Sequence, residues 1–201
     1  MAIKPILFNG EMVRAILDGR KICTRRLVKH NVDAVLNSPY HMEHPETEDV
    51  WLIKRLCRAP YDPGDILYVR ETWDWDPDNE VAKTYYYKAD GDLRPEGYKG
   101  MGWLPSIHMP KEAARIWLKV TDVRVERLQD ITAEQILKEG IGLTQDMIES
   151  VKEMKEHCDI PFAATWNHTL KKSDLDRYGW AANPWVWVIE FERCEKPKEA
   201  E

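Results

Sequence analysis

The run Trp185-Val186-Trp187-Val188-Ile189-Glu190-Phe191 limits most strongly what this chain can fold into. β-branched and aromatic side chains follow one another there, without the alternation of a strand wetted on one side. With Pro184 at its start, the segment Pro184–Phe191 reads as a strand covered on both faces. Such a strand needs hydrogen-bonded neighbours and a packed layer on either side. Several segments offer themselves as neighbours. Arg115–Val120 and Val123–Leu128 alternate apolar and polar residues, as half-buried strands do. Ile66–Arg70 is an apolar run fed by the turn signature Tyr61-Asp62-Pro63-Gly64-Asp65. Lys4–Phe8 reads as a short buried strand, Lys21–Val28 as extended and Thr84–Ala89 as β-rich.

Helical signals lie between these strands. Asn9 is an N-cap for Gly10–Asp18, with Met12, Ala15 and Ile16 on one face and Gly19 as the stop. Thr132-Ala133-Glu134-Gln135 is a capping box opening a short helix that ends at Glu139-Gly140. Gln145–His157 carries Ile148, Val151 and Met154 at helical spacing, and Pro161–Leu170 puts Phe162, Trp166 and Leu170 on one face. The polar stretch Asn31–Asp49, with Pro39 and Pro45, reads as an insertion or long loop within a wider insertion over 31–60. Asp74–Val81 and Asp90–Gly102 read as further loops, and 195–201 as a charged, frayed tail to a single domain over 1–194. Periodicity therefore reaches an α+β class, a mainly antiparallel sheet curled toward a barrel with flanking helices.

A net charge of −6 argues against coating long nucleic acid through charge alone, because that binding needs many cationic contacts. A pocket for one base or small molecule stays open. Locally the sign reverses: Arg20, Lys21, Arg25, Arg26, Lys29 and His30 form one basic cluster, and Lys54, Arg55 and Arg58 another. Solvated charge is the ordinary reading of most of these. Nine Trp imply aromatic core layers or a ring-lined binding surface. The four cysteines contain no C-x-x-C pair, and His41 and His44 lack a third ligand, so no metal or cofactor is expected. The N-terminal residues lack the apolar run of a signal peptide and no stretch approaches a membrane span, which leads to the expectation of a cytoplasmic protein.

Four segments, in order, resemble the ASCH family of the PUA-like superfamily, in its larger phage- and prophage-encoded branch. They are Pro5–Asn9 running through Gly19-Arg20-Lys21-Ile22-Cys23-Thr24-Arg25-Arg26, then Pro63–Trp73, then Pro105–Pro110 through the two strands to Ile131–Glu134 and Glu139-Gly140, and finally Tyr178-Gly179-Trp180 with Asn183–Trp187. The resemblance implies a PUA-like β-barrel with a central cleft and RNA-linked roles. It also implies an amidohydrolase removing the acetyl group of N4-acetylcytidine, or a ribonuclease. The family's Lys and Thr map to Lys21 and Thr24, and its Glu to Glu139. Ile22 stands where the family often has Thr, and Arg25 where it has an apolar residue.

Amide hydrolysis needs a nucleophile, a proton acceptor and oxyanion stabilisation. In the expected site Lys21 activates Thr24, and Glu139 protonates the leaving amine. Residues three apart on a regular strand face opposite ways, so Lys21 and Thr24 meet only if the chain bends just after Gly19. Otherwise Thr24 packs inside and Lys21 is a surface cation. Around them, Arg25, Arg26, Glu71, Trp73, Ser106, His108, Asn183 and Trp185 are candidate substrate contacts. Glu71 pairs with Arg25 or Arg26, or else reads a base edge as carboxylates do for cytosine. His108 bonds a ligand or is structural. Trp73 and Trp185 are the stacking candidates, and Asn183 carries amide donors and an acceptor for a base edge. Trp117, Trp166 and Trp187 read as core. The expected partners are a nucleoside or single-stranded RNA. The competing readings are a non-catalytic RNA-binding module and a phage accessory protein that binds a host protein.

Overall fold

The computed structural model describes residues 1–77, 84–141 and 159–197. Its main sheet has five strands: β1 (Ile3–Leu7), β2 (Cys23–Leu27), β3 (Ile66–Arg70), β6 (Trp117–Arg127) and β7 (Trp185–Cys194). Their spatial order is β1-β3-β6-β7-β2, with β1 and β3 parallel and the other pairs antiparallel. A small hairpin-like pair, β4 (Trp73–Trp75) and β5 (Tyr85–Tyr87), stands apart.

β7 takes the central role its composition demands. It pairs with β6 on one side and β2 on the other. Trp187, Ile189 and Phe191 point into the largest core cluster, with Phe8, Leu118 and Val125. Val186 and Val188 point the other way, against Leu128, Ile136, Phe162 and Trp166. Alternate side chains thus feed two separate apolar layers, which is why the strand carries no polar face.

The sheet does not close into a barrel, since among the described residues β1 and β2 remain its two edges. The two strands expected over 115–128 are one, β6, in which the register with β7 shifts between Val120 and Asp122. A bulge inserts a residue and resets the alternation, so one bent strand reads as two in sequence.

Helix α1 (Gly10–Leu17) starts at Asn9, whose side chain accepts from Met12 N, and buries Val13, Ala15 and Ile16. The 31–49 stretch is not a loop. It forms α2 (Val32–Leu36) and α3 (Pro39–Glu43), followed by α4 (Asp49–Leu56). Asn31 and Ser38 cap the first two, and Pro39 occupies the start of α3, where proline's fixed φ and missing N–H suit a helix. Val32, Ile53 and Cys57 join the main core. α5 (Ala133–Lys138) carries the expected capping box. α6 (Asp159–His168) and α7 (Leu175–Tyr178) precede β7. The helix expected over Gln145–His157 lies outside the described residues. No described helix is long and apolar enough to cross a membrane.

Candidate functional site

The site is built where α1 hands the chain to β2. Gly19 adopts φ +74°, and the backbone N–H groups of Arg20 and Lys21 both donate to Ala15 O. This reversal places Lys21 ahead of the regular strand, where it forms an isolated antiparallel bridge with Glu139 at the end of α5. Ile22 N donates to Lys138 O at 2.9 Å. The alternation rule that separates residues three apart therefore does not govern Lys21 and Thr24. Gly140 makes the approach feasible: at φ +71°, a Cβ there would lie 2.6 Å from Lys21 Cβ and 2.7 Å from Ala15 Cβ.

The Lys21 side chain has 0% exposure. Its Nζ donates to Glu139 Oε2 at 2.6 Å and to the Glu139 backbone carbonyl at 2.9 Å. The other carboxylate oxygen, Oε1, accepts from Arg25 Nη1 at 3.0 Å. Glu139 is thus clamped between two buried cations. Arg25 in turn donates from Nε and Nη2 to Glu126 Oε1 at 3.1 and 2.6 Å, and from Nη2 to Gln135 Oε1 at 3.0 Å. Gln135 Oε1 also accepts from Thr132 N at 2.9 Å, so the capping box that starts α5 helps aim Arg25. Strand register explains the Arg25–Glu126 pair: Arg25 lies opposite Val188 and Glu126 opposite Val186, on one face of β7. The network continues from Glu126 Oε2 to Arg124 Nε at 3.4 Å, so each buried charge meets an opposite one, as burial requires. Cys23 packs beside it, and burial, reinforced by the Glu139 charge, pushes its thiol up to about 12.

Arg26 is different. Its Nη2 donates to Leu7 O at 3.0 Å and its Nη1 to Arg25 O at 3.4 Å, and the guanidinium lies 5.3 Å from the centre of the Phe8 ring. Among the described residues no carboxylate lies within salt-bridge distance of it. Burial lowers the pKa of this guanidinium below the usual arginine range, against the through-space pull of Tyr61 and Glu139.

These groups border a cleft of about 820 Å³. Leu7 and Phe8 line it from the end of β1, Thr24, Arg25 and Arg26 from β2, Glu139 from the end of α5, and Phe162 and Trp166 from α6. Arg14 and Ser106 also border it. Because β2 is an edge strand, a hollow on its open side reaches side chains from both of its faces. That is how Thr24 and Arg25, adjacent in sequence, share one cleft. Thr24 is 2% exposed. Lys21 reaches the site through Glu139 rather than as part of its wall.

The remaining candidates lie elsewhere. Glu71 is gripped by Arg115, with Nε–Oε1 at 2.9 Å and Nη2–Oε2 at 3.0 Å, and not by Arg25 or Arg26. Arg25 is committed to Glu126 and Glu139, while Arg115 also binds Asp90 and stacks 4.0 Å from the Tyr87 ring centre. Burial raises the Glu71 carboxyl against the pull of Arg115. Trp73 cannot stack a base: it is 6% exposed and packs with Met109, Ala113 and Trp117. Asn183 is a corner residue at φ 45°, and its Oδ1 accepts from Gln129 N at 2.8 Å. Trp185 lies under Arg127, 4.4 Å from guanidinium to ring centre, and outside the cleft wall. His108 is exposed and also outside it. Trp117, Trp166 and Trp187 are buried, as their patterns imply.

Sequence reasoning missed Glu126, Gln135 and Phe8. Only Gln135 carried a signal, its place in the capping box. Among the described residues no group of three or more His, Cys, Asp or Glu side chains is arranged to hold a metal ion.

No protein-family model and no curated protein matches the chain. Among solved structures it is similar to an ASCH domain from Lactobacillus crispatus JV V101, at 10% identity and a TM-score of 0.41, covering 96% of this chain and 79% of that one. It is also similar to the hypothetical protein PH0355, at 15% identity and a TM-score of 0.38, covering 96% of this chain and 100% of that one.

Proposed function

We propose that this chain is an ASCH-type protein whose cleft takes a cytosine-type nucleoside, free or within single-stranded RNA, and hydrolyses an acyl amide on its exocyclic nitrogen. The observation that carries the reading is the clamp on Glu139. A carboxylate held at 2.6 Å from a buried lysine and bordering the same cleft as Thr24 is the set of groups that amide hydrolysis needs. The four sequence segments quoted above support it.

In this reading the Thr24 hydroxyl adds to the acyl carbon. Its proton passes to Lys21 as Lys21 passes one to Glu139 along their contact, and Glu139 protonates the departing amine. Water then releases the acyl group from Thr24. One relay supplies both the base and the acid. Phe162 and Trp166, packed into the apolar layer that also holds Val186 and Val188, make this side of the cleft apolar.

The test is conversion of N4-acetylcytidine to cytidine and acetate, followed by chromatography. The wild type turns over. Lys21→Ala, Thr24→Ala and Glu139→Gln each lose at least about a hundredfold, the usual scale for a general acid–base group. Thr24→Ser keeps the hydroxyl and retains activity. Equal rates in all of these proteins would remove the triad.

One observation favours a second reading, a binding module without chemistry: both Glu139 oxygens are already engaged. There the cleft holds a base and the arginines hold its strand. Binding of cytidine-containing RNA with no product release would select it.

A further inference from the structure

We infer that the ligand of this cleft carries a phosphate, and that Arg26 is the residue that receives it. The inference rests on the nucleoside reading above and names what that reading leaves open, whether the ligand is a neutral nucleoside or a phosphate-bearing nucleotide.

Four arginines border the cleft, and their partners separate them. Arg25 is neutralised by Glu126 and Glu139. Arg20 is paired with Asp18 at 2.8 Å. Arg14 donates to Ala89 O at 3.0 Å from an exposed position. Arg26 alone of the four combines half-burial with acceptors that are only backbone carbonyls, those of Leu7 and Arg25. A guanidinium has five N–H donors in a planar fork. Two contacts leave most of that fork free on a residue that lines the cleft. Enclosing a guanidinium beside an apolar ring without a counter-charge is unfavourable unless an anion completes it. Phe8 fixes the plane from one side, and the two carbonyls hold it in place.

The surroundings discriminate among anions. Ser106 and Thr72 border the cleft with hydroxyl groups, and Arg14 adds a second positive charge. Glu139 already satisfies the inner cations, so a ligand anion has no reason to enter as far as Lys21. The arrangement thus divides the cleft into an inner part that offers a clamped carboxylate and an outer part that offers an unmatched guanidinium. A base with a phosphate one sugar away matches that division. Phosphate is preferred over a carboxylate because its oxygens engage a fork and neighbouring hydroxyls together.

Calorimetric titration with cytidine, cytidine 5′-monophosphate, the trinucleotide ApCpA and inorganic phosphate tests this. The wild type should bind the monophosphate about tenfold or more tighter than cytidine, the range of one charge-assisted contact. Arg26→Ala should abolish the difference, and Arg26→Lys should keep part of it. A gain for the monophosphate alone assigns a terminal phosphate, whereas a gain for ApCpA, which has only internal phosphodiesters, assigns an RNA strand. Equal wild-type affinity for all three, or an equal loss of cytidine and monophosphate binding in Arg26→Ala, overturns the inference while the nucleoside reading stands. If no cytidine compound binds, phosphate binding that Arg26→Ala removes upholds the anion site without the nucleoside, and absence of phosphate binding as well overturns both. Thermal melts of each variant show whether a loss comes from unfolding.

Discussion

Replacing Glu139 by Gln should destabilise the fold more than replacing Lys21 by Met, although the two residues form one ion pair. The carboxylate serves two cations, Lys21 at 2.6 Å and Arg25 at 3.0 Å, with side-chain exposures of 0% and 1%. Lys21 serves one carboxylate. In Glu139→Gln the amide keeps one acceptor oxygen and turns a donor toward one of the two cations, leaving Lys21 or Arg25 without its side-chain partner. Removing one member of a buried pair costs about 3–5 kcal/mol when the other is left uncompensated. In Lys21→Met the chain volume is nearly kept and Glu139 retains Arg25, so no buried charge is left without a partner and the main loss is the charged hydrogen bond to Oε2, about 1.5–3 kcal/mol, with the bond to the Glu139 carbonyl lost beside it. For a chain of this length each kcal/mol moves the melting temperature by about 2–4 °C, giving shifts of about 6–20 °C and 3–12 °C. Urea unfolding followed by circular dichroism measures both, and the double variant should cost less than the sum of the singles. Salt should change none of these differences appreciably, since buried pairs are poorly screened. A Lys21→Met variant as unstable as Glu139→Gln, or strict additivity in the double, would refute the clamp as the organising contact.

Three further outcomes follow from local geometry. Gly140→Ala places a Cβ 2.6 Å from Lys21 Cβ at φ +71°, and the backbone conformation alone costs about 1–3 kcal/mol, so an unchanged urea midpoint would contradict the close packing. Cys23, held near 12, should resist iodoacetamide at pH 8 in the native protein and label only on unfolding, as peptide mass mapping would report. Asp65 is held down at about 2: burial acts to raise it, and hydrogen bonds from Lys4 and from the Ala2 and Asp62 backbones outweigh that. A depressed carboxyl contributes stability that is complete above its unfolded value near 4 and is lost as pH falls toward 2. Asp65→Asn should therefore flatten the stability profile between about pH 4 and pH 2, and an unaltered acid transition would sink the assignment.

The elements whose cause is local were legible in the sequence. Asn9, the Thr132 capping box and Gly19 announce themselves because each satisfies backbone groups within a few residues. The burial of β7 on both faces follows from its composition alone. What failed depends on partners far along the chain. The bulge at Val120–Asp122 disguised β6 as two strands. Pro39 reads as loop punctuation in the sequence, whereas its place is the first turn of α3. Glu71 found Arg115, 44 residues away, and nothing near Arg70-Glu71-Thr72 marks that choice. Trp73 and Trp185 carry the same ring, and sequence does not separate a buried face from an open one. In the cleft, Lys21, Thr24 and Glu139 came from a family pattern, while Glu126, which completes the charge balance, looks like any polar residue on an alternating strand.

The open sheet and the cleft are consequences of one another. Edge strands leave backbone groups unpaired, and those groups need partners. Here one partner comes from the wall of the cleft: Leu7 O, at the end of β1, accepts from Arg26 on β2, while Ile22 N, leading into β2, donates to Lys138 O at the end of α5. Arg26 thus links two edges that a closed barrel would join by strand pairing, and does so with a side chain whose remaining donors are free. Were β1 and β2 to pair directly, Leu7 O would be consumed by backbone and the guanidinium displaced from its seat against Phe8. The cleft would then lose its unmatched charge together with its volume. A ligand that draws Arg26 away from Leu7 should for the same reason loosen the β1 edge, a change that amide exchange at Leu7 and Phe8 would register as faster opening on binding.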